Sequence, residues 1–398
     1  MTNSLVHVLS IAIVLTGLIA CGDAAMPDGA TATSNAYAMT FAVNDSTEVV
    51  VYAEGTHDDL VVKNNGEDIP LIHTGEGKYR VPVFDGIIQG IWSEEGTFQG
   101  EWIDKMSEPF RQTPLTIQPT TSPLAISTAL NSEELIYTLV FQSDQGATWQ
   151  GQLLLRENNG LASATVRTDT GDLRYLGGSS DGEKMELTTF DGAHLYRMDI
   201  ERNGDDLTGY FHSHTGYKAT ILGHRLGRMP VTNPMRIQAI GPMEFTVVTD
   251  QDSTVTTWSG EMFKGKVTII DLMGTWCPNC MDAARMFKEL RTEFPNLQVA
   301  SVAFEKRSNP RAVFSRFSSY KADLGIDWPM VYGGPAKKKE TSYKMHFLTG
   351  FESFPTTLIL DKEGNIAYVH TGFNGPATGE AHAKERQFFR AAIRSLSR

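Results

Sequence analysis

The sequence predicts two structural classes in one chain: an all-β N-terminal region, folded as an antiparallel barrel or sandwich, and an α/β domain behind it. Three observations predict this. From about residue 131, turn signals recur roughly every ten residues, and the runs between them alternate or are rich in aromatic and β-branched residues. Beyond about residue 240, nearly continuous apolar runs alternate with amphipathic ones, as buried strands alternate with helices. Charge divides at the same place: residues 1–240 hold 15 Lys+Arg against 30 Asp+Glu, and residues 241–398 hold 20 against 17. A chain of 398 residues exceeds one typical core, so more than one domain is expected. Its net charge of −12 argues against a nucleic-acid partner, whose phosphates it would repel.

The N-terminus reads MTNSLVHVLSIAIVLTGLIACGDAAMPDG. The apolar run from Leu5 to Ala20 is short for a membrane span but normal for the core of a signal peptide. It ends in Leu18-Ile19-Ala20-Cys21, which resembles the bacterial lipobox. That resemblance implies a leader over residues 1–21 and a lipidated Cys21 as the first mature residue. A low-complexity tether over 22–36 would follow, with a lipid anchor on the periplasmic or cell-surface side of a bacterial membrane. The alternative is a plain secretory signal with an incidental cysteine. Either reading places the chain where disulfides form and persist. No second apolar span of about 18 residues follows.

Residues 37–228 read as β-structure, divisible into 37–119 and 131–228. Asp144-Gln-Gly146, Asn158-Asn-Gly160, Ser180-Asp-Gly182 and Asn203-Gly204 punctuate runs such as LIYTLVFQ, TWQGQLLL and LTGYFHS. Gln89-Gly90-Ile91-Trp92 aligns with Thr208-Gly209-Tyr210-Phe211, either as a trace of duplication or as the generic spelling of hairpins. His212 and His214 would share a face of a strand, but no carboxylate or cysteine completes a ligand set, so no metal site is predicted. Trp92, Trp102 and Trp149 either line a ligand cavity or fill a core. The residues give this region no chemistry of their own.

A linker over 229–240 leads into residues 241–398. EFTVVTDQDSTVTTW reads as a hairpin, KVTIIDLMG as a buried central strand, and CMDAARMFKELRTEF as a helix with Ala284, Phe287 and Leu290 on one face. LQVASVAFE is a second buried strand and PRAVFSRFSSYKADLG a second helix. WPMVYGG is a short strand, FPTTLILDKEGNIAYVHTG a hairpin turning at Glu363-Gly364, and GEAHAKERQFFRAAIRSLS a closing helix. The run Lys337-Lys338-Lys339 is a solvated face or an attractor for an acidic partner.

Cys277 and Cys280 stand where the central strand turns into a helix. At a helix N-terminus, unpaired backbone N–H groups and the helix dipole favour negative charge, which lowers a thiol pKa and raises the thiolate population. Thiolate is the attacking species in disulfide exchange. Cys280 lies one turn on and can close on Cys277, while Pro278 suits a first turn whose N–H has no partner. Asp271, six residues upstream inside the apolar run, is costly to bury as a charge. Burial would raise its pKa and fit it to exchange a proton with Cys280; alternatively it is a strand-end residue reaching water.

The segment GTWCPNC resembles the active site of the thioredoxin superfamily. FKGKV, the Trp-Cys-Pro-x-Cys turn and FPTTLILDKEGNI together resemble its TlpA-like branch of membrane-tethered thiol-disulfide oxidoreductases. FDGAHLY and HTGFNGPATGEAH are similar to a subgroup with an N-terminal β-domain. The resemblance implies a thioredoxin-like α/β domain over 241–398 and a redox disulfide Cys277–Cys280. It further implies a cis-proline at Pro355, and substrate contacts from Trp276, Phe354 and Pro355. The loop GFNGPATGEAH would border the substrate groove. No cofactor is implied. The implied partners are a disulfide-containing protein substrate and a membrane electron donor of the DsbD/CcdA type, and the implied direction is reduction. A structural zinc site would need two further ligands beside the cysteines. A peroxiredoxin would need Thr where Gly274 stands. A rival of another class remains: a ligand- or protein-binding β-domain lipoprotein with a non-catalytic disulfide.

Overall fold

The structure, a computed structural model, describes residues 35–107, 109–121, 132–230 and 233–398. The expected leader, Cys21 and nearly all of the tether lie outside these residues. Among the described residues the chain forms three β-sheets. The first contains β1 (Asn35–Asn44), β2 (Thr47–Thr56), β3 (Asp59–Asn64), β4 (Glu67–Pro70), β5 (Ile72–Gly75), β6 (Lys78–Arg80), β7 (Ile87–Trp92), β8 (Phe98–Asp104) and β9 (Arg111–Pro119). It is an open antiparallel sheet in the order β4-β3-β2-β1-β9-β8-β7-β6-β5. Tyr37, Met39, Phe41 and Val43 alternate along β1 and all face its core, as the two-residue period of a strand requires.

The second sheet contains β10 (Glu134–Ser143), β11 (Thr148–Asn158), β12 (Leu161–Arg167), β13 (Leu176–Ser180), β14 (Lys184–Phe190), β15 (Leu195–Asn203), β16 (Asp206–Ser213) and β17 (Tyr217–Leu226). Each strand pairs with the next, and β17 returns to β10 to close an up-and-down barrel. Closure removes the exposed edges that an open sheet leaves. Tyr137, Leu139 and Phe141 of β10 point inward, while Val140 between them is exposed. The aligned tetrapeptides fall in unlike settings, β7 of the open sheet and β16 of the barrel. Trp102 fills the core of the first sheet, Trp92 stacks on His57 at 3.7 Å, and Trp149 stacks on Phe141 at 3.6 Å. These tryptophans pack against other rings. His214 stacks on Trp102 and is held neutral by burial, its pKa pushed down to about 2.

The third sheet belongs to the α/β domain: β18 (Glu244–Val248), β19 (Val255–Ser259), β20 (Thr268–Met273), α1 (Pro278–Glu293), β21 (Gln298–Glu305), α2 (Pro310–Leu324), β22 (Met330–Pro335), α3 (Lys338–Lys344), β23 (Thr356–Leu360), β24 (Ile366–Thr371) and α4 (Glu380–Ser397). The strand order is β19-β18-β22-β21-β20-β23-β24, with β20, β21 and β22 parallel and the others antiparallel. This is a thioredoxin-like fold. β20 is buried along its whole length because it is central and covered on both faces. Ile269 and Met273 face the side that packs on α1, α2 and α4, whereas Ile270 and Leu272 face Phe245, Phe347 and Phe351 on the other. The β23–β24 turn places Gly364 at φ 85°, a conformation that glycine adopts without strain. Helix α3 is an addition to the predicted elements. Its sequence KKETSYK buries only Thr341, so it carries no apolar period.

Residues 35–398 form one compact unit. Val83, Phe84 and Ala193 from the β-region join the core cluster that contains Cys277, Cys280 and Met281. Arg80 grips Asp323 of α2 through two 2.7 Å hydrogen bonds. Arg174 is buried between Glu67 of β4 and Asp282 of α1, pairing with both, and Asp191 lies 3.9 Å from its Nε.

Candidate active site

The strand β20 delivers the chain to the site and α1 receives it. Cys277 is the N-cap of α1, with an extended backbone, and Pro278 occupies the first helical turn. Cys277 and Cys280 form a disulfide with Cα atoms 5.2 Å apart. The Cys277 sulfur accepts a 3.2 Å hydrogen bond from the Cys280 N–H, one of the donors that a helix start leaves unpaired. Cys277 is 6% exposed and Cys280 fully buried. The pair is therefore asymmetric, with Cys277 slightly exposed and Cys280 behind it.

Facing the disulfide is the Phe354–Pro355 peptide, which is cis. The Phe354 carbonyl lies 3.8 Å from the Cys277 sulfur. Trp276 meets the Phe354 ring edge-to-face at 5.8 Å, donates from Nε1 to the Phe304 carbonyl at 2.9 Å, and carries Lys306 Nζ 5.0 Å above its face. The fold thus brings together Trp276, Cys277, Cys280, Phe354 and Pro355.

Asp271 is fully buried in β20, on the face it shares with Ile269 and Met273. It does not reach water. Ser301 donates to its Oδ2 at 3.4 Å, and Trp328 Nε1 in turn donates to Ser301 at 2.9 Å. Burial pushes the Asp271 carboxyl up to about 8, against a small opposing pull from the Ser301 bond. The group is an uncharged acid at neutral pH. The buried Tyr320 hydroxyl is pushed up as well, by burial and then by the Asp271 charge.

Residue types alone did not point to the groups that hold the cysteine turn. Glu305, at the end of β21, accepts from both the N–H and the hydroxyl of Thr275 at 2.9 Å. Arg316 of α2 donates to the Thr275 carbonyl at 3.1 Å and to the Val83 carbonyl, and pairs with Asp85 at 3.2 Å. Nor did sequence reading implicate the barrel loop between β12 and β13. There Asp172 accepts from Asn279 Nδ2 at 3.3 Å and from the Gly375 N–H at 2.5 Å. Burial, with the Asp282 charge beside it, pushes Asp172 up to about 6. FDGAHLY was legible as a segment: its Ala193 enters the core around the cysteines, and its Asp191 lies 3.1 Å from His194 Nδ1. Glu380 and His382 do not join the cysteines. Glu380 pairs with Lys384, and His382 Nδ1 lies 2.8 Å from the Asn374 carbonyl.

Residues 238–385 match the Redoxin family model. No curated protein matches the chain. Among solved structures, the C-terminal part is similar to a thiol:disulfide interchange protein of Chlorobium tepidum, at 18% identity over 37% of this chain and 97% of that one, with a TM-score of 0.27. It is also similar to a DsbF homologue of Corynebacterium diphtheriae, at 17% identity over 40% of this chain and 94% of that one, TM-score 0.26. A thioredoxin-like protein of Aeropyrum pernix aligns at 21% identity over 35% of this chain and 89% of that one, TM-score 0.25.

Proposed function

We propose that the chain is an extracytoplasmic, membrane-tethered thiol-disulfide oxidoreductase that reduces protein disulfides through Cys277-Pro278-Asn279-Cys280. One observation carries the reading: the disulfide sits at the N-cap of α1, with the outer sulfur receiving a helix N–H and the inner sulfur buried behind it. The Redoxin match over the same residues supports it.

In the reduced chain, the Cys277 thiolate attacks one sulfur of a client disulfide. That S–S bond breaks, the client's other sulfur leaves as a thiolate, and a mixed disulfide forms. Cys280 then loses its proton and attacks the Cys277 sulfur, releasing the second client thiol and leaving the pair oxidised. Two electrons and two protons pass to the client. Asp271, with a pKa of about 8 on the adjoining strand, is ionised in a minor fraction of chains near neutrality, and in that carboxylate form it is the group suited to take the Cys280 proton. Trp276 and the Phe354–Pro355 peptide form the surface on which the client chain rests. A membrane dithiol donor of the DsbD/CcdA kind re-reduces the pair, and the lipid on Cys21 keeps the enzyme near it.

Cys277→Ser, assayed on insulin or a cytochrome c apoprotein, tests the reading. Loss of client reduction is expected. Parent-level reduction by the variant would sink it and favour a binding module with an inert disulfide.

A further inference from the structure

We propose that the barrel loop 168–175 is an internal occupant of the client groove, and that a protein disulfide reaches Cys277 only when this loop lifts away. The proposal rests on the reading of Cys277 as the nucleophile. Three segments meet at the disulfide and form the walls of the proposed client groove: the first turn of α1 with Asn279, the Phe354–Pro355 peptide, and the stretch from Gly372 to Gly375. The last two are tied together, since the Gly372 N–H donates to the Pro355 carbonyl at 2.8 Å.

The loop lies against two of these walls directly. Gly171 abuts the Asn279 side chain so closely that an added Cβ would overlap it. At Gly372 a Cβ would stand 2.7 Å from the Thr170 carbonyl oxygen. Asp172 takes the Gly375 N–H and the Asn279 amide, and Arg167 Nε donates to Asn374 Oδ1 at 2.8 Å. These are polar groups and backbone faces that an incoming extended chain would need. Behind the loop, Arg174 is locked to Asp282 and Glu67, so the cover is anchored to the helix that carries the cysteines. A small dithiol needs only a narrow approach to the sulfur. A folded client needs the groove.

Two wedges test this without replacing any charged residue. Gly171 lies outside the left-handed region and Gly375 has φ −70°, so both backbones accept a side chain. Gly171→Leu pushes against Asn279. Gly375→Ala places a methyl 2.8 Å and 2.9 Å from oxygens of Asp172 and Asp282. Both variants, checked for fold by circular dichroism, should reduce insulin roughly tenfold faster than the parent, as expected if the open population rises by that factor. The rate at which dithiothreitol reduces their Cys277–Cys280 disulfide should change far less. Folded variants no faster than an active parent would overturn the cover. In a second measurement, Cys280→Ser chain trapped on the insulin B chain should show faster amide exchange over 168–175 than free chain, and unchanged exchange would equally overturn it. If neither parent nor variants reduce insulin while dithiothreitol still cycles the pair, the oxidoreductase reading itself fails, and the cover falls with it.

Discussion

Ser301 and Asp271 face each other across the parallel pair β21–β20, and the 3.4 Å hydrogen bond between them leaves Asp271 Oδ1 without a partner. A buried carboxyl so poorly solvated stays protonated near neutrality.

Stability should therefore fall as pH rises. The Asp271 pKa is raised from 3.8 to about 8 in the folded chain. Its contribution is complete below the unfolded value and is lost as pH climbs through the folded one. Between those limits the loss approaches about 1.4 kcal/mol per pH unit as an upper bound. Asp271→Asn should flatten this slope and unfold at higher urea than the parent at pH 8. Urea midpoints at pH 5 and pH 8 check it; parallel curves for the two proteins would contradict the assignment.

Cys280→Ser should trap the intermediate. With the buried sulfur gone, nothing displaces the client from Cys277, and a covalent adduct accumulates. Non-reducing gels and intact mass should show one client chain per enzyme, released by dithiothreitol. Cys277→Ser should form no adduct under the same conditions.

Glu305→Ala should loosen the turn before Cys277. It leaves the buried Thr275 N–H and hydroxyl without their acceptor, which costs about 1–3 kcal/mol. A displaced nucleophile also reacts more slowly, so insulin reduction should fall by roughly tenfold. An unchanged rate in a destabilised variant would mean that Glu305 holds the fold without placing the sulfur.

Arg316→Ala should weaken the join between the first sheet and the redox domain, because one guanidinium bonds Thr275, Val83 and Asp85. The expected loss is about 2–4 kcal/mol by urea unfolding. Arg316→Lys should recover less than half of it, since an ammonium cannot reproduce the planar fork.

The cysteine turn was legible because its chemistry is local. Trp276, Cys277, Pro278 and Cys280 occupy five consecutive positions, and the strand and helix around them declare themselves by period. Asp271 was legible as a charge misplaced in an apolar strand. The barrel's closure was not, because hairpins are spelled alike in open and closed sheets. Asp172 was invisible for another reason: its partners Asn279 and Gly375 lie 107 and 203 residues away, and no local pattern encodes such a meeting. Arg174, Glu67 and Asp282 share that difficulty. Each looks like an ordinary surface charge until the fold buries them together.

Arg174 has a consequence for anyone who would divide the protein. Its guanidinium holds acidic side chains from β4 and α1, so cutting before residue 238 would leave Asp282 with only its helix neighbour Arg285 as a cation and strip Val83, Phe84 and Ala193 from the core cluster that holds Met281. The excised piece would present a sticky, acid-edged face beside its own disulfide, and would melt earlier and self-associate more readily than the intact chain.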